Sequence, residues 1–190
     1  MPAETEIKFK VDDVAALEAK LQAIGFRRKT PSTLEVNTLY DLPTGDLREK
    51  SEVLRLRRYG DIWKLTHKTK GSVVRHKVRA ESETKVADGE QMDAILRALG
   101  YEPSFVYEKY RAEWTDGTGE VVIDRTPIGN LAEIEGEPDW IDGVAGKLGV
   151  SEGSYITKSY VALFQEWRTN TGSAAANMTF EECKRPRPQP

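Results

Sequence analysis

Hydrophobic and polar residues alternate with a period of two in many short segments of the chain, which is the pattern of half-buried β-strands. The first such segment covers residues 3–11, and a helix is predicted directly after it, over residues 12–24. Three further helices are predicted over residues 88–99, 139–148 and 155–168. Turns rich in Gly, Pro and Asp separate the strands, which outnumber the helices. The sequence therefore predicts an α+β fold made mainly of antiparallel strands.

Charged residues lie on one face of these predicted strands, where side chains two positions apart point the same way. The acidic pairs with this spacing are Glu4/Glu6, Glu81/Glu83 and Glu133/Glu135. The basic pairs include Arg55/Arg57 and Lys109/Arg111. An ordinary solvated face explains one such strand, but seven strands carry these charges and their sign is sorted by strand. The pattern indicates a sheet with a continuous charged face.

A sheet that closes with its charged faces inward leaves apolar outer faces, which the predicted amphipathic helices can cover. Charges buried in such a lumen must be paired or bound to metal. Hard divalent cations such as Mg²⁺ or Mn²⁺ bind both carboxylate and phosphate oxygens, while Arg and Lys neutralise the remaining phosphate charge. The sequence therefore predicts a closed or nearly closed antiparallel β-barrel with a polar lumen that binds a triphosphate and divalent metal.

A set of motifs in the chain resembles the CYTH, or triphosphate tunnel metalloenzyme, superfamily. Glu4-Thr5-Glu6-Ile7-Lys8 matches its Glu-x-Glu-x-Lys signature. The resemblance spans about residues 3–165 and continues through Leu54-Arg55-Leu56-Arg57, Leu65-Thr66-His67-Lys68, Glu81-Ser82-Glu83, Tyr107-Glu108-Lys109-Tyr110-Arg111, Val122-Ile123-Asp124, Glu133-Ile134-Glu135-Gly136 and Lys158-Ser159-Tyr160. Residues 124–136 most resemble small bacterial proteins labelled class IV adenylyl cyclase. The resemblance implies an eight-stranded barrel with helices packed outside.

The same resemblance implies roles for individual residues. The implied metal ligands are Glu4, Glu6, Asp124, Glu133 and Glu135, with Mg²⁺ or Mn²⁺ as the metal. The implied phosphate-binding residues are Lys8, Arg55, Arg57, Lys68, Lys109, Arg111 and Lys158. Glu81 and Glu83 are expected to face the same tunnel, to bind a second metal or orient the nucleophile. They complete an expected catalytic set of Glu4, Glu6, Lys8, Glu81 and Glu83.

The expected reaction is an in-line attack on a phosphorus of inorganic tripolyphosphate or of an organic or nucleoside triphosphate. Water as the nucleophile gives hydrolysis, which is the favoured interpretation. The alternative is a class IV adenylyl cyclase, in which the 3′-hydroxyl of ATP attacks and cyclic AMP and pyrophosphate are formed. A second alternative is a non-catalytic module that binds polyphosphate or a nucleotide. Such a module has no evident use for three Glu-x-Glu strands.

Composition and charge add limits to this picture. The 28 basic and 31 acidic residues give a net charge of −3, which argues against general binding of nucleic acid or anionic membranes. The N-terminal sequence is acidic and no long apolar run is present, so a cytoplasmic protein is expected. Its expected oligomeric state is a monomer or a homodimer. The domain is predicted over residues 1–168. Residues 169–190 are predicted to be a flexible tail because they are polar and end in a Pro-rich stretch.

Overall fold

The computed structural model describes residues 3–73 and 75–188, which form nine strands and five α-helices. The strands are β1 (Ala3–Lys10), β2 (Arg27–Asp41), β3 (Val53–Tyr59), β4 (Ile62–Lys68), β5 (Ser72–Val73), β6 (Lys77–Val86), β7 (Glu102–Thr115), β8 (Glu120–Thr126) and β9 (Gly129–Glu135). The helices are α1 (Val14–Ala23), α2 (Asp46–Glu49), α3 (Gly89–Ala98), α4 (Pro138–Leu148) and α5 (Tyr160–Thr171). A 3₁₀ turn covers Glu152–Ser154.

Eight of the strands close into an antiparallel barrel. Their order is β1-β9-β8-β7-β2-β3-β4-β6, and β6 pairs with β1 to complete the circle. The short β5 pairs only with β6 and lies outside this circle. Closure brings both edges of β1 into contact with other strands, so that Glu6 has Glu135 on one side and Lys77 on the other. The predicted eight-stranded barrel is confirmed.

The outer face of the barrel is apolar and covered by helices. Ile7, Trp114 and Ile134 are fully buried in a cluster that also contains residues of α1 and α4. Leu56 on β3 packs in a second cluster with Leu96 of α3. Because side chains alternate along a strand, the neighbours of these residues point into the lumen. The predicted arrangement, polar within and apolar beneath the helices, is therefore confirmed.

Short-range capping sets the ends of the helices. The side chain of Asp13 accepts a hydrogen bond from the Ala16 amide at the start of α1, and Asp88 does the same for Gln91 in α3. The last helix begins at residue 160, later than the predicted 155, because Ser159 caps it and the residues before it are extended. None of the helices in residues 3–73 and 75–188 has the length and apolar content needed to span a bilayer.

The C-terminal segment, residues 173–188, packs against β7. Strand β8 pairs only with the part of β7 from residue 110 onward, so the preceding part has an open edge. Met178 fills this edge: its amide donates to the Val106 carbonyl, and its carbonyl accepts from the Glu108 amide, both at 3.0 Å. Met178, Phe180 and Cys183 are buried.

The prediction of a flexible tail is therefore wrong for residues 169–188. Residues 169–171 belong to α5, and the predicted boundary at residue 168 falls inside that helix. The apolar residues of the C-terminal segment have no helical or strand periodicity, so the sequence pattern did not reveal that they cover a neighbouring strand edge. Residues 189 and 190 of the predicted tail lie outside the described residues.

Candidate active site in the barrel lumen

The lumen contains a charged cavity, here called the tunnel, with a volume of about 110 Å³. Charged side chains from six strands line it. These are Glu4, Glu6, Lys8, Arg55, Arg57, Lys68, Lys77, Arg79, Lys109, Arg111, Glu133 and Glu135. Strand parity places most of them here, since side chains two positions apart on a strand share a face, as Arg55 and Arg57 do on β3. Ten of the sequence-predicted site residues are thus brought together in one cavity.

Three carboxylates, here called the acidic cluster, meet where β1 lies beside β9. One oxygen from each of Glu4, Glu6 and Glu135 lies within 4.8 Å of the others. Within residues 3–73 and 75–188, no hydrogen bond or ion pair reaches the Glu135 carboxylate. Burial and the nearby Glu133 raise the pKa of Glu135 to about 8, and Glu6 and Glu4 add to the shift. The cluster is therefore short of positive charge.

Lysines and an arginine flank the other two carboxylates of the acidic cluster. Lys8 Nζ is 2.9 Å from Glu6 Oε1 and 3.0 Å from Glu133 Oε1. Burial opposes ionisation of Glu6, but Lys8 and then Lys77 outweigh it and lower the pKa of Glu6 to about 2. Glu4 accepts hydrogen bonds from Lys68 at 2.8 Å and from Arg79 at 3.2 Å. These cations neutralise Glu4 and Glu6 but, in the described part of the chain, form no ion pair with Glu135.

Four further cations, Arg55, Arg57, Lys109 and Arg111, form what we call the basic wall on β3 and β7. The fully buried carboxylate of Glu35 lies behind them, with Oε1 3.4 Å from Lys109 Nζ and 3.6 Å from Arg57 Nε. Burial opposes its ionisation, yet Arg57 and Lys109 hold the pKa of Glu35 well below its usual range. Glu35 therefore holds the basic wall together.

Sequence reasoning missed Glu35 and several residues that line the tunnel. Glu35 shares its face of β2 with Asn37, whose amide donates to Glu35 Oε1 at 2.9 Å. A search for like-charged pairs does not find this acid–amide pair. Tyr107 has the same parity as Lys109 and Arg111, so that parity could have located it in the lumen. The other missed residues that line the tunnel include Lys77, Arg79 and Tyr160.

Asp124 lies behind the tunnel wall, which differs from its expected place as a metal ligand. Its side chain is fully buried and is not part of the tunnel lining. Arg111 donates to both of its oxygens, at 2.8 and 2.6 Å, while Lys109 and the Tyr160 hydroxyl also bond to it. With its oxygens occupied by cationic and hydroxyl donors, Asp124 orients the basic wall. Glu133 does line the tunnel, but it pairs with Lys8 and Arg111.

Glu81, Glu83 and Lys158 are not part of the tunnel lining. Glu81 pairs with Lys68 at 2.6 Å, and Glu83 pairs with Lys64 at 2.6 Å. Both glutamates therefore lie behind or beside residues of the lumen. The Lys158 side chain is 55% exposed and pairs with Glu166 on α5. The structure does not bring Lys158 to the tunnel with the other predicted phosphate-binding residues, because the extended residues before α5 turn it outward, while Ser159 and Tyr160 line the tunnel.

A sequence profile of the CYTH domain matches residues 2–160. The chain belongs to the CYTH domain family. Members of this family are triphosphatases or cyclases, and its triphosphate tunnel metalloenzymes use divalent metals. The Methanocaldococcus jannaschii protein named "Putative adenylate cyclase MJ0240" is 28% identical to this CYTH chain over 174 residues, which is 84% of this chain and 97% of that protein.

Solved structures share the CYTH fold. A Vibrio parahaemolyticus protein described as a "putative adenylate cyclase" has a TM-score of 0.78 at 19% identity, over 85% of this chain and 97% of that one. A Hippeastrum protein, "Putative adenylyl cyclase HpAC1", described with a dominant triphosphatase activity, has a TM-score of 0.63 at 18% identity. That match covers 87% of this chain and 96% of the Hippeastrum chain. At these identities the similarity concerns the fold.

Proposed function

We propose that this CYTH domain is a divalent-metal-dependent enzyme that hydrolyses a triphosphate by in-line attack of water on phosphorus. The observation that carries the proposal is the division of one tunnel into an acidic cluster and a basic wall. A triphosphate with a bound cation presents both charges that such a tunnel requires. An inorganic anion alone would need the cations but not the acidic cluster.

The acidic cluster fits a hard divalent ion such as Mg²⁺ or Mn²⁺. It offers three carboxylates with oxygens within 4.8 Å of one another, and Glu135 has no protein donor in the described part of the chain. Carboxylate oxygens are the ligands that these ions prefer. Glu4, Glu6 and Glu135 would hold such an ion, which when bound would neutralise charge on the phosphate oxygens and on the crowded carboxylates.

The chain's own residues bind and orient the triphosphate. The guanidinium groups of Arg55 and Arg57 and the ammonium groups of Lys8 and Lys109 hold phosphate oxygens, because each lies in the tunnel lining. Glu35 and Asp124 keep the basic wall in position before substrate binds. Preorganised cations stabilise the charge that develops on the transferred phosphoryl group without rearranging during the reaction. Lys8 and Lys68 exchange carboxylate partners for phosphate oxygens.

Cyclisation of a nucleoside triphosphate is the second candidate function. The Methanocaldococcus jannaschii relative carries an adenylate cyclase name, and a hydroxyl of the substrate could replace water as the nucleophile in the same tunnel. Hydrolysis is favoured because attack by water requires no recognition of a nucleoside, and no adenine-reading motif stands out in the sequence. Hydrolysis and cyclisation both release products, whereas a binding module would bind the triphosphate and release none.

Product analysis tests these functions. Purified protein is incubated with tripolyphosphate, ATP or thiamine triphosphate, with Mg²⁺ or Mn²⁺, and the products are followed by phosphorus NMR. Release of orthophosphate supports hydrolysis, whereas cyclic AMP with pyrophosphate identifies a cyclase. Glu135→Gln is the matched variant, because it replaces one carboxylate oxygen with an amide nitrogen, removes the negative charge and keeps the side-chain shape. Tight binding without any product in the presence of either metal would identify a binding module.

A further inference from the structure

An aromatic side chain, that of Tyr160, lies between the two sides of the tunnel. Tyr160 is the first residue of α5, lines the tunnel and is 8% exposed. Lys109 Nζ of the basic wall is 4.6 Å from the centroid of its ring, and Lys8 Nζ is 5.8 Å from the same point. An aromatic face attracts a cation within about 6 Å of its centroid. The ring of Tyr160 therefore contacts one lysine on each side of the tunnel.

Contacts on several sides fix the position of this ring. The Tyr160 hydroxyl donates to Asp124 Oδ2, and the ring stacks on that of Tyr107 with centroids 5.6 Å apart and an interplanar angle of 15°. Ser159 caps α5 directly before it, accepting a hydrogen bond of 3.2 Å from the Ala162 amide. Burial and then Asp124 raise the pKa of Tyr160 well above its ordinary value, so its hydroxyl stays neutral. The ring is thus a fixed, uncharged surface.

The apolar support behind Tyr160 comes from the chain beyond the family match, which ends at residue 160. Tyr160 packs in one buried cluster with Phe164 of α5 and with Met178 and Cys183 of the C-terminal segment. Phe164 and Met178 are fully buried. The helix and the docked C-terminal segment therefore hold a residue of the tunnel in place.

An uncharged ring can hold a lysine without neutralising it. Glu6 and Glu133 each form an ion pair with Lys8, at 2.9 and 3.0 Å, and these pairs must loosen before Lys8 can bind a phosphate oxygen. An aromatic face attracts the ammonium group through its quadrupole and carries no net charge. Tyr160 can therefore remain in contact with Lys8 while the lysine exchanges its carboxylate partners for phosphate.

We propose that Tyr160 is a positioning residue whose ring holds Lys8 and Lys109 where both can bind one triphosphate. Its hydroxyl anchors the ring to Asp124. The proposal rests on the proposed function, because it takes the two lysines as ligands of phosphate oxygens. Tyr160 acts through the lysines and makes no bond to phosphorus.

NMR of metal-free protein labelled with ¹³C-lysine tests the contact between the ring and the lysines. The ring current of Tyr160 should shift the ε-methylene signals of Lys8 and Lys109 upfield of that of Lys158, which is 55% exposed and serves as the control. Replacing each lysine with Arg assigns the signals. Tyr160→Phe should keep the shift and Tyr160→Leu should abolish it. Native Lys8 and Lys109 signals at the position of the Lys158 signal would overturn the proposal, whether or not the Tyr160 variants fold.

Kinetics with tripolyphosphate and Mg²⁺ test the consequence for activity. Tyr160→Leu removes the ring and should lower kcat/KM by about ten- to thirtyfold, the loss expected for a desolvated cation–π contact. Tyr160→Phe keeps the ring and should lose no more than about threefold, because Lys109 and Arg111 still bond to Asp124.

Tyr155→Phe is the matched control. It also removes a hydrogen bond from a tyrosine hydroxyl to an aspartate, Asp142, but neither residue lines the tunnel. Its kcat/KM should stay within about twofold of the native value. Melting temperatures of all the variants establish that they fold.

The outcomes separate the positioning role from the proposed function. A loss in Tyr160→Phe as large as that in Tyr160→Leu would overturn the role of the ring, and so would native turnover in a folded Tyr160→Leu protein. If the native protein binds tripolyphosphate without hydrolysing it, and calorimetry shows about ten- to thirtyfold weaker binding by Tyr160→Leu, hydrolysis fails while the positioning role stands. If the native protein does not bind tripolyphosphate, both proposals fail.

Discussion

Replacing Glu135 with Gln should stabilise the metal-free protein at alkaline pH. The neighbouring carboxylates and burial raise the pKa of Glu135 to about 8 from its usual 4.5. Below about pH 4.5 the carboxyl is protonated in the folded and in the unfolded chain, so it causes no difference between them. Between these two values the folded chain keeps the proton that the unfolded chain releases, and the free energy of unfolding falls as pH rises. Above about pH 8 the loss is complete.

The magnitude follows from the size of the shift. A pKa raised by 3.5, the difference between 8 and 4.5, corresponds to roughly 4 to 5 kcal/mol of lost stability at full ionisation. Glu135→Gln keeps the neutral shape at every pH and should avoid most of this loss. The variant should therefore match the native protein near pH 5 and exceed it near pH 8.5.

Urea unfolding in the presence of EDTA at both pH values measures the difference. Adding Mg²⁺ should restore stability to the native protein at pH 8.5, because a cation bound by the acidic cluster removes the repulsion. Mg²⁺ should have little effect on the Glu135→Gln variant. If the two proteins show the same pH dependence without metal, the crowding of carboxylates inferred from the structure is refuted.

Three other sets of variants test the roles of the tunnel residues, the apolar outer face of the barrel and the C-terminal segment. Arg57→Ala should weaken triphosphate binding by roughly 2 to 5 kcal/mol and lower the melting temperature less than Leu56→Ala does, because Lys109 and Arg111 still face the buried Glu35. Leu56, 3% exposed beneath α3, should lose about 2 to 5 kcal/mol of stability on replacement by Ala, with ligand affinity kept. Calorimetry of both variants measures this, and the reverse pattern would contradict the strand orientation. Deleting residues 173–190 should lower the melting temperature by several degrees, because the deletion uncovers apolar side chains and the open edge of β7. An unchanged melting curve would contradict the docking of the C-terminal segment on β7. Lys158→Ala should leave turnover unchanged and Lys8→Ala should abolish it in assays at saturating metal concentration, because Lys158 is exposed and Lys8 lies in the tunnel. Equal losses in the two variants would show that Lys158 acts in the active site.

Strand parity explains how much of the fold and site could be predicted from sequence. The alternation of Leu56 with Arg57 is a local property, since successive side chains of a strand point to opposite faces whatever the strand contacts. Charges on one face of seven strands, with apolar residues on the other, then favour a closed sheet with a polar lumen. The acidic residues Glu4, Glu6 and Glu135 could be assigned to that lumen on this basis, and the structure brings them together.

Only the tertiary structure decided which charges are free to act. Among the described residues Glu135 has no hydrogen-bond or ion-pair partner, while Asp124 is surrounded by donors, a difference that depends on distances between strands far apart in the chain. Parity also gives no information on segments outside strands, so Lys158 and the C-terminal segment had to be located by their contacts. Sequence alone determined which face each strand residue occupies. Packing between distant segments determined which ion-pair partners each charged residue has. Ion pairing and burial depend on three-dimensional distance, which the alternation of residues along one strand does not encode.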